Sequence, residues 1–235
     1  MKSSIVNRYM KTKTMIKTYN SFTLLVLFLL SAHGAFAQTN FVKMFRLGNL
    51  STQITSLYGL QQTTDSGYVF TGTTGGFGIG SDWYLVKTNS GGTIQWSKKY
   101  GTSFRDECLG VTQTSDGGYI MAGSSDPLNV GADAALIKTD PLGNVQWMKT
   151  YGSAGSGTEN FFKVKEHPFG GYVAVGQTLG LGPSIIDLYV VRVNSIGDTL
   201  WTYILGNPGI SFHTASDLII ENDGDIAVIG QSASP

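Results

Sequence analysis

Cysteine and charge are scarce in this sequence, and each shortage excludes a class of protein. Cys108 is the one cysteine among 235 residues, so the chain has neither an internal disulfide nor a cysteine-based zinc cluster. Charged residues make up 14% of the chain, whereas about 25% is usual in soluble proteins. A disordered acidic or basic tail needs high net charge and few apolar residues, so this class is excluded.

Proline is also rare, with 6 residues, and the glycines show no Gly-X-Y period, so collagen is excluded. Glycine and aromatic residues are abundant instead, with 31 glycines, 12 phenylalanines, 11 tyrosines and 4 tryptophans. Glycine permits tight turns, and aromatic residues favour extended strands. The composition therefore predicts an all-β protein with many turns.

The N-terminal segment contains an apolar run, Leu24 to Leu30, that is far shorter than the about 20 residues needed to span a bilayer. Five basic residues and no acidic residue precede this run, and the small-x-small site Ala35-Phe36-Ala37 follows it. These features predict a signal peptide over 1–37, with cleavage between Ala37 and Gln38. A membrane anchor is the alternative, but the run is too short for stable insertion. We expect the mature protein to pass through the periplasm and to be secreted or held at the cell surface.

Removal of the signal peptide changes the net charge of the chain. Five of the 16 basic residues are lost, so 11 remain against 16 acidic residues and the mature chain carries a charge near −5. A negative surface repels phosphate backbones, and no basic stripe with interleaved aromatic residues is present. Nucleic acid is therefore not an expected partner.

The mature sequence repeats itself with a period of 51 to 54 residues. One recurring block reads DSGYVFTG, DGGYIMAG, FGGYVAVG and, more weakly, DGDIAVIG. Its last residues are Gly72, Gly123, Gly176 and Gly230. A second block repeats three times, and in it the aligned acids are Asp82, Asp133 and Asp187, and the aligned tryptophans are Trp96, Trp147 and Trp201. Several features that keep one register over three units indicate a repeat architecture.

Each unit contains four short apolar runs separated by turn residues such as Asp-Gly and Asn-Ser-Gly-Gly. No run is long enough, or periodic enough at 3.6 residues, to form a helix. Four antiparallel strands in about 50 residues, repeated, are typical of β-propeller blades. A β-sandwich has strands at a similar spacing, but it does not explain the fixed register of tryptophan, aspartate and glycine. We therefore predict an all-β propeller with four-stranded antiparallel blades.

The repeats predict about three and a half blades within residues 38–235, over 51–101, 102–152, 153–206 and the partial unit 207–235. Residues 41–45 align with Trp96–Tyr100, which predicts an outer strand of a preceding or closing blade. Closed propellers have roughly 4–8 blades. We therefore expect an incomplete ring, whose partners are further repeats of the same polypeptide or other copies of the chain.

The repeated residues allow two interpretations each. The three tryptophans are predicted to dock each blade on the next, with the indole N–H donating to a carbonyl of the neighbour; the alternative is a set of exposed, ligand-stacking rings. The three aspartates each begin a strand and are predicted to accept backbone N–H groups of the preceding loop. A metal or catalytic role is the alternative, but acids on separate blades lie far apart unless all of them face the central channel.

The histidines of the mature chain nominate no catalytic or metal site. His167 precedes a turn and is predicted to be a solvated loop residue. His213 opens the first strand of the fourth unit and has no cysteine or histidine at metal-ligand spacing. No G-x-S-x-G motif nominates a nucleophile. We therefore predict no catalytic residue, no metal and no cofactor.

One set of positions in the second unit forms a recognisable pattern: Gly118-Tyr119, Asp133, Leu136-Ile137-Lys138, Asp140, Gly143, Trp147 and Tyr151-Gly152. This pattern resembles the tandem repeats of bacterial secreted β-propeller proteins. The resemblance implies an array of many repeats exported by type IX secretion. The segment KTDPLGNVQW is also distantly similar to the tryptophan-docking repeat of quinoprotein (PQQ-like) propellers.

Three functions follow from this sequence as hypotheses. The favoured one is a non-catalytic secreted scaffold that binds a protein or glycan. The second is a fragment of a propeller enzyme of the quinoprotein dehydrogenase or glycosidase type, and the third is a purely structural repeat segment. An active site needs polar groups that differ between blades and converge at one mouth of the channel. Here the acids recur in step with the repeat, which favours the non-catalytic hypothesis.

Overall fold

The structure of the protein is a computed structural model, and it describes residues 24–27, 42–45, 54–74, 80–126, 130–152, 157–183, 185–206 and 212–233. Every regular element in these ranges is a β-strand, which confirms the predicted all-β class. No helix in the described ranges is long and apolar enough to cross a membrane. The chain divides into two units, Met1–Arg46 and Leu47–Pro235.

The first unit contains a two-stranded antiparallel sheet. Strand β1 (Leu24–Leu27) pairs with strand β2 (Val42–Phe45), with Leu24 opposite Phe45 and Leu27 opposite Val42. Strand β2 coincides with the strand expected at 41–45, and its place in a blade stays a prediction. The cleavage site at Ala37 and Gln38 lies outside the described residues.

The second unit contains three four-stranded antiparallel sheets and one two-stranded sheet. The first sheet has β3 (Ile54–Gln62), β4 (Tyr68–Thr74), β5 (Asp82–Thr88) and β6 (Ile94–Tyr100). The second has β7 (Asp106–Gln113), β8 (Tyr119–Ser125), β9 (Asp133–Thr139) and β10 (Val145–Tyr151). The third has β11 (Thr158–Glu166), β12 (Tyr172–Leu179), β13 (Asp187–Val193) and β14 (Thr199–Leu205), and the fourth has β15 (Phe212–Ile220) and β16 (Ile226–Ala233).

Each sheet is a meander, because every strand pairs with its neighbours in sequence. The first strands of successive sheets pack against one another, as β3 does on β7, β7 on β11 and β11 on β15. In the described part of this unit the fourth sheet packs on the third and does not return to the first. The architecture is therefore an unclosed propeller of three blades and the inner half of a fourth, as predicted.

The hydrophobic core lies between blades rather than inside any one sheet. One buried cluster joins the first and second blades, a second joins the second and third, and a third joins the third blade to the fourth sheet. Strands β4 and β5 are buried along their whole length, and each lies between two neighbouring strands of its own sheet. A blade therefore depends on its neighbours to bury its apolar surface.

The hairpin turns share one hydrogen-bond pattern, which explains the repeated Asp, Asn and Gly residues. In the turn that begins at Thr63, the Ser66 N–H donates to the Thr63 carbonyl at 2.9 Å, and the Thr63 N–H donates to the Gly67 carbonyl at 2.9 Å. The third loop residue adopts the left-handed conformation, which favours glycine. It is Ser66 in the first hairpin, with a φ of 63°, and Gly117 at the same place in the second blade, with a φ of 80°.

The recurring glycine of the second strand faces a β-bulge in the first strand. In the second blade, Gly123 pairs with Cys108, and the register then shifts before Gly110. A Cβ atom at Gly123 would lie 1.8 Å from the Glu107 carbonyl oxygen, which is an impossible contact. The same clash with a backbone carbonyl arises at the aligned glycines of the other sheets, which are Gly72, Gly176 and Gly230. The glycine repeat is therefore required by the bulge.

The left-handed turn position gives the first testable prediction. Replacing Ser66 with glycine should raise the free energy of unfolding by about 0.5 kcal/mol, because the side chain is removed from an unfavourable φ. The matched change Gly117→Ala should lower it by about 1 kcal/mol through the backbone alone, since the nearest atom to the new Cβ, Pro141 Cγ, is at an ordinary 3.5 Å. Urea unfolding measures both effects. A loss of stability in S66G would contradict the proposed strain.

Candidate functional site at the blade interfaces

Two of the repeated tryptophans lie between blades. The Trp96 ring meets Tyr119 of the second blade edge-on, with ring centroids 5.7 Å apart. The Trp147 ring lies 5.9 Å from Tyr172 of the third blade, and its indole N–H donates to the Ser195 carbonyl at 3.1 Å. Trp96 and Trp147 therefore each contact the second strand of the next blade, and Trp147 also donates a hydrogen bond to the turn between that blade's third and fourth strands.

The residues that alternate with these tryptophans contact the same turns. The hydroxyl of Tyr100 donates to the Gly143 carbonyl at 2.8 Å, and that of Tyr151 donates to the Gly197 carbonyl at 2.8 Å. Burial is the main cause that raises the pKa of both phenols. A lysine lies between the tryptophan and the tyrosine in each of these strands. Lys98 donates to the side chain of Asn144, and Lys149 forms an ion pair with Asp198. The outer strand thus attaches to the next blade through Trp, Lys and Tyr.

The third tryptophan has a different environment. Trp201 is 43% exposed on β14, and the aligned lysine and tyrosine are replaced by Tyr203 and Leu205, which are 55% and 45% exposed. An open groove of about 540 Å³ lies beside them, lined by β13, β14 and the residues Ile226 and Val228 of β16. In the described residues, no turn of a further blade covers Trp201. The outer face of the third blade is therefore aromatic and open.

The repeated aspartates lie at one end of the propeller, where each begins the third strand of its blade. Asp82 forms an ion pair with Lys99, and both Asp82 and Asp106 of the next blade lie against Gly101. Asp106 accepts the Thr102 N–H at 2.5 Å and the Ser125 hydroxyl. The first two blades therefore meet, at this end, through two neighbouring carboxylates.

The next interface has the same arrangement of acids. Asp133 and the buried Glu159 both lie against Gly152, and the Thr178 hydroxyl donates to Glu159 Oε1 at 2.9 Å. Burial, and then the charge of Asp126, raises the pKa of Asp133. Asp82 and Asp133 therefore each lie beside a second acid of the next blade, Asp106 and Glu159 respectively.

At the third interface a histidine takes the place of the second acid. Asp187 is buried, and the backbone N–H of His213 donates to the Ile186 carbonyl at 2.9 Å. The Nε2 atom of His213 is buried and makes no hydrogen bond to the described residues. Within those residues, no three or more His, Cys, Asp or Glu side chains are grouped so that they could hold a metal ion.

Buried lysines form a contact that sequence reasoning missed. Lys138 lies in the third strand of the second blade with a 2% exposed side chain, and its Nζ donates to Asp116 Oδ2 at 2.7 Å and to the Thr139 carbonyl at 2.8 Å. Lys87 makes the same bonds to Asp65 and to the Thr88 carbonyl, both at 2.7 Å. A buried charge is stable only when it is paired and hydrogen-bonded. Each lysine therefore ties the third strand to the first turn of its own blade.

These lysine contacts change the ionisation of the turn aspartates. Hydrogen bonds, first from Lys87 and then from Thr63, lower the pKa of Asp65 to about 2. At Asp116 burial alone would raise the pKa, but the bonds from Lys138 and Thr114 outweigh it and lower the pKa. Both carboxylates therefore contribute stability above their ordinary pKa near 3.8. The contribution of Asp65 is lost as the pH falls toward 2, and that of Asp116 is lost as the pH falls below 3.8.

In the third blade, both members of this ion pair are replaced by other residues. Phe169 takes the place of the aspartate, and Arg192 takes the place of the lysine. The Arg192 guanidinium donates to backbone carbonyls instead, at Tyr172, Val193 and Gly170. The aligned repeats could have revealed this contact. Two of them have aspartate in the turn and lysine in the third strand, and the third has phenylalanine and arginine at the same two positions.

The prediction for His167 was wrong in one respect. His167 does precede a turn, but its side chain is only 9% exposed rather than solvated. Its Nδ1 accepts the Phe169 N–H at 3.2 Å, and the two rings lie 5.5 Å apart. Burial, and then the charge of Arg192, lowers the pKa of the imidazole. The cause is the fourth sheet, whose turn at Gly224 covers this hairpin.

No known protein family profile matches the chain, and no curated protein matches it. Among solved structures, the chain is similar to a protein of unknown function from Bacteroides caccae, with 13% sequence identity and a TM-score of 0.49. The similarity covers 81% of this chain and 57% of that one, so the chain spans somewhat more than half of that protein's length.

The different settings of equivalent tryptophans give the second prediction. Trp147→Ala should lower the free energy of unfolding by about 3 kcal/mol, because it removes a ring packed between two blades and its bond to Ser195. Trp201→Ala, the same change at the aligned position on the open face, should cost less than about 1 kcal/mol. Thermal and urea unfolding compare the two variants. Equal losses would mean that the outer face of the third blade is covered in solution.

Proposed function

We propose that this chain is a non-catalytic, secreted or cell-surface propeller module that binds a protein or glycan ligand. The observation that carries the proposal is the open aromatic face of the third blade, which consists of Trp201, Tyr203 and Leu205 beside the groove. Tryptophan and tyrosine are enriched in binding surfaces because they bury a large area and keep a polar group for hydrogen bonding. Sugar rings also stack their C–H faces on such side chains.

The use of charged residues elsewhere supports a binding role over a catalytic one. The buried cations Lys87, Lys138 and Arg192 bond turns and carbonyls of their own blades. The acids Asp106 and Glu159 accept hydroxyl groups of the adjacent strand. These groups repeat from blade to blade and hold the architecture together, whereas the third blade's outer face departs from the repeat. A surface that departs from a structural repeat is the natural candidate for recognition.

The binding part of the proposal predicts the outcome of a ligand screen. Glycan arrays and pull-downs from cell-envelope extract should yield a ligand whose affinity falls at least about tenfold in a W201A/Y203A variant, because both stacking rings are removed. Tyr58→Ala is the matched control, since Tyr58 is an aromatic residue with 42% exposure on β3, away from this face. Equal binding by the double variant and the wild type would contradict the proposal.

The secretion part of the proposal has its own test. Expression of the full chain in a bacterium that exports proteins should give a periplasmic or extracellular form whose N-terminal residue is Gln38, because the Ala-x-Ala site ends at Ala37. N-terminal sequencing of the exported fraction identifies the cleavage point. Recovery of uncleaved chain in the cytoplasm alone would refute export.

A further inference from the structure

The outer strand of the third blade has an open edge. In the described residues, β14 pairs with β13 on one side and has no strand on the other. Because the first strands of the blades pack on one another, the fourth strand lies at the rim of its blade. A rim strand presents a row of backbone N–H and C=O groups without a strand partner, which is a template for pairing with another chain. Strands β6 and β10 are rim strands in the same sense.

Strand β14 lacks the charged residues that protect the other two rim strands. Its sequence is TLWTYIL, without a charge or a proline, whereas β6 reads IQWSKKY and β10 reads VQWMKTY. Lysine on an edge strand commonly prevents edge-to-edge pairing, because its charge opposes the approach of a second strand. In β14, Tyr203 occupies the place of Lys98 and Lys149. Of these three rims, that of the third blade therefore favours association.

The regular part of β14 is complementary to itself. Its pairing with β13 is continuous from Trp201 to Leu205, and the register shifts at Leu200. Two copies of this segment can run antiparallel about a twofold axis at Tyr203. Each Trp201 then lies opposite Leu205 of the partner subunit, and the two Tyr203 side chains lie opposite each other. Residues directly opposite on antiparallel strands share one face and contact each other, so every pair on this face is apolar or aromatic.

The lysines of the first two blades oppose the same pairing. In this register, two β6 strands would place Lys98 directly opposite its own copy, and two β10 strands would do the same with Lys149. Like charges directly opposite one another destabilise a strand pair. Both lysines are also engaged by the next blade, at Asn144 and Asp198. Tyr203, by contrast, is 55% exposed.

We propose that two copies of this chain associate through β14, with the two strands antiparallel about a twofold axis at Tyr203. The third blades of the two copies then form one eight-stranded sheet, and the contact is isologous because the same strand serves in both copies. Backbone hydrogen bonds along the rim supply affinity, and the side-chain pairs fix the register. The inference goes beyond the proposed ligand-binding role, because it names an assembly of the protein.

The tyrosine at the proposed axis allows a charge-reversal test on the full chain. Sedimentation of the wild type at concentrations up to about 100 µM should show a monomer–dimer equilibrium. Tyr203→Lys and Tyr203→Glu should each raise the dissociation constant of the dimer at least about tenfold, because each places two like charges directly opposite one another. An equimolar mixture of the two variants should dimerise again, at least about tenfold more tightly than either variant alone, because opposite charges then face each other.

Tyr58→Lys is the matched control, because it introduces the same charge at an exposed tyrosine of β3, away from the rim. It should leave the dissociation constant unchanged. A wild-type chain that stays monomeric, equal weakening by Y58K and Y203K, or a mixture that fails to restore dimers would each overturn the proposal. Association that survives unchanged in Y203K would come from another segment of the chain and would also overturn it. Restored association in the mixture shows in addition that both variants are folded.

The outcome is separable from that of the proposed function. If the chain is monomeric while the screened ligand still depends on Trp201 and Tyr203, the inference about the dimer falls and the binding role stands. If the mixture restores dimers and the screen yields no ligand, the rim of the third blade serves self-association and the binding role falls. At concentrations below the dissociation constant the chain is a monomer with Trp201 exposed, so Trp147→Ala and Trp201→Ala are compared there.

Discussion

The structure depends on the packing of each blade against the next. A four-stranded meander has two apolar faces, and each face is buried only when another blade covers it. In this chain the contact is made by the outer strand, whose tryptophan and tyrosine reach the turn of the following blade, as Trp147 and Tyr151 do at Ser195 and Gly197. The stability of one repeat therefore resides largely in residues about 50 positions away.

A side-chain acceptor at the end of one blade's first strand accepts a turn N–H of the preceding blade, and where the acceptor is absent the N–H is absent too. The N–H of Thr64 donates to Gln113 at 2.8 Å, and the N–H of Ser115 donates to Glu166 at 2.6 Å. At the third interface the aligned residues are Pro168, which has no N–H, and Ile220, which has no side-chain acceptor. Donor and acceptor are lost together at this exposed contact. In the third blade the turn aspartate and its lysine are also replaced together, but Arg192 keeps its donors and bonds backbone carbonyls instead.

Much of the fold was predictable, because its signals are local. Strand bounds follow alternating apolar runs, and the turns follow Asp, Asn and Gly at fixed offsets. The environment of individual side chains was less predictable. His167 looks like a surface loop residue in sequence, yet the turn at Gly224 covers it. The buried ion pair of Lys138 was missed because a lysine in a strand is normally expected to face solvent. Only the folded structure shows that Asp116 lies beside it.

The sequence by itself determined the period, the number of strands in each unit and the position of each turn, since these depend on neighbouring residues within one repeat. Tertiary structure alone decided which of three equivalent tryptophans is exposed. Trp96, Trp147 and Trp201 share their local sequence pattern, but the first two lie against a following blade, and the third lies on an open groove. The reason is physical: burial is a property of what stands next to a residue in space, and in a propeller that neighbour belongs to another repeat.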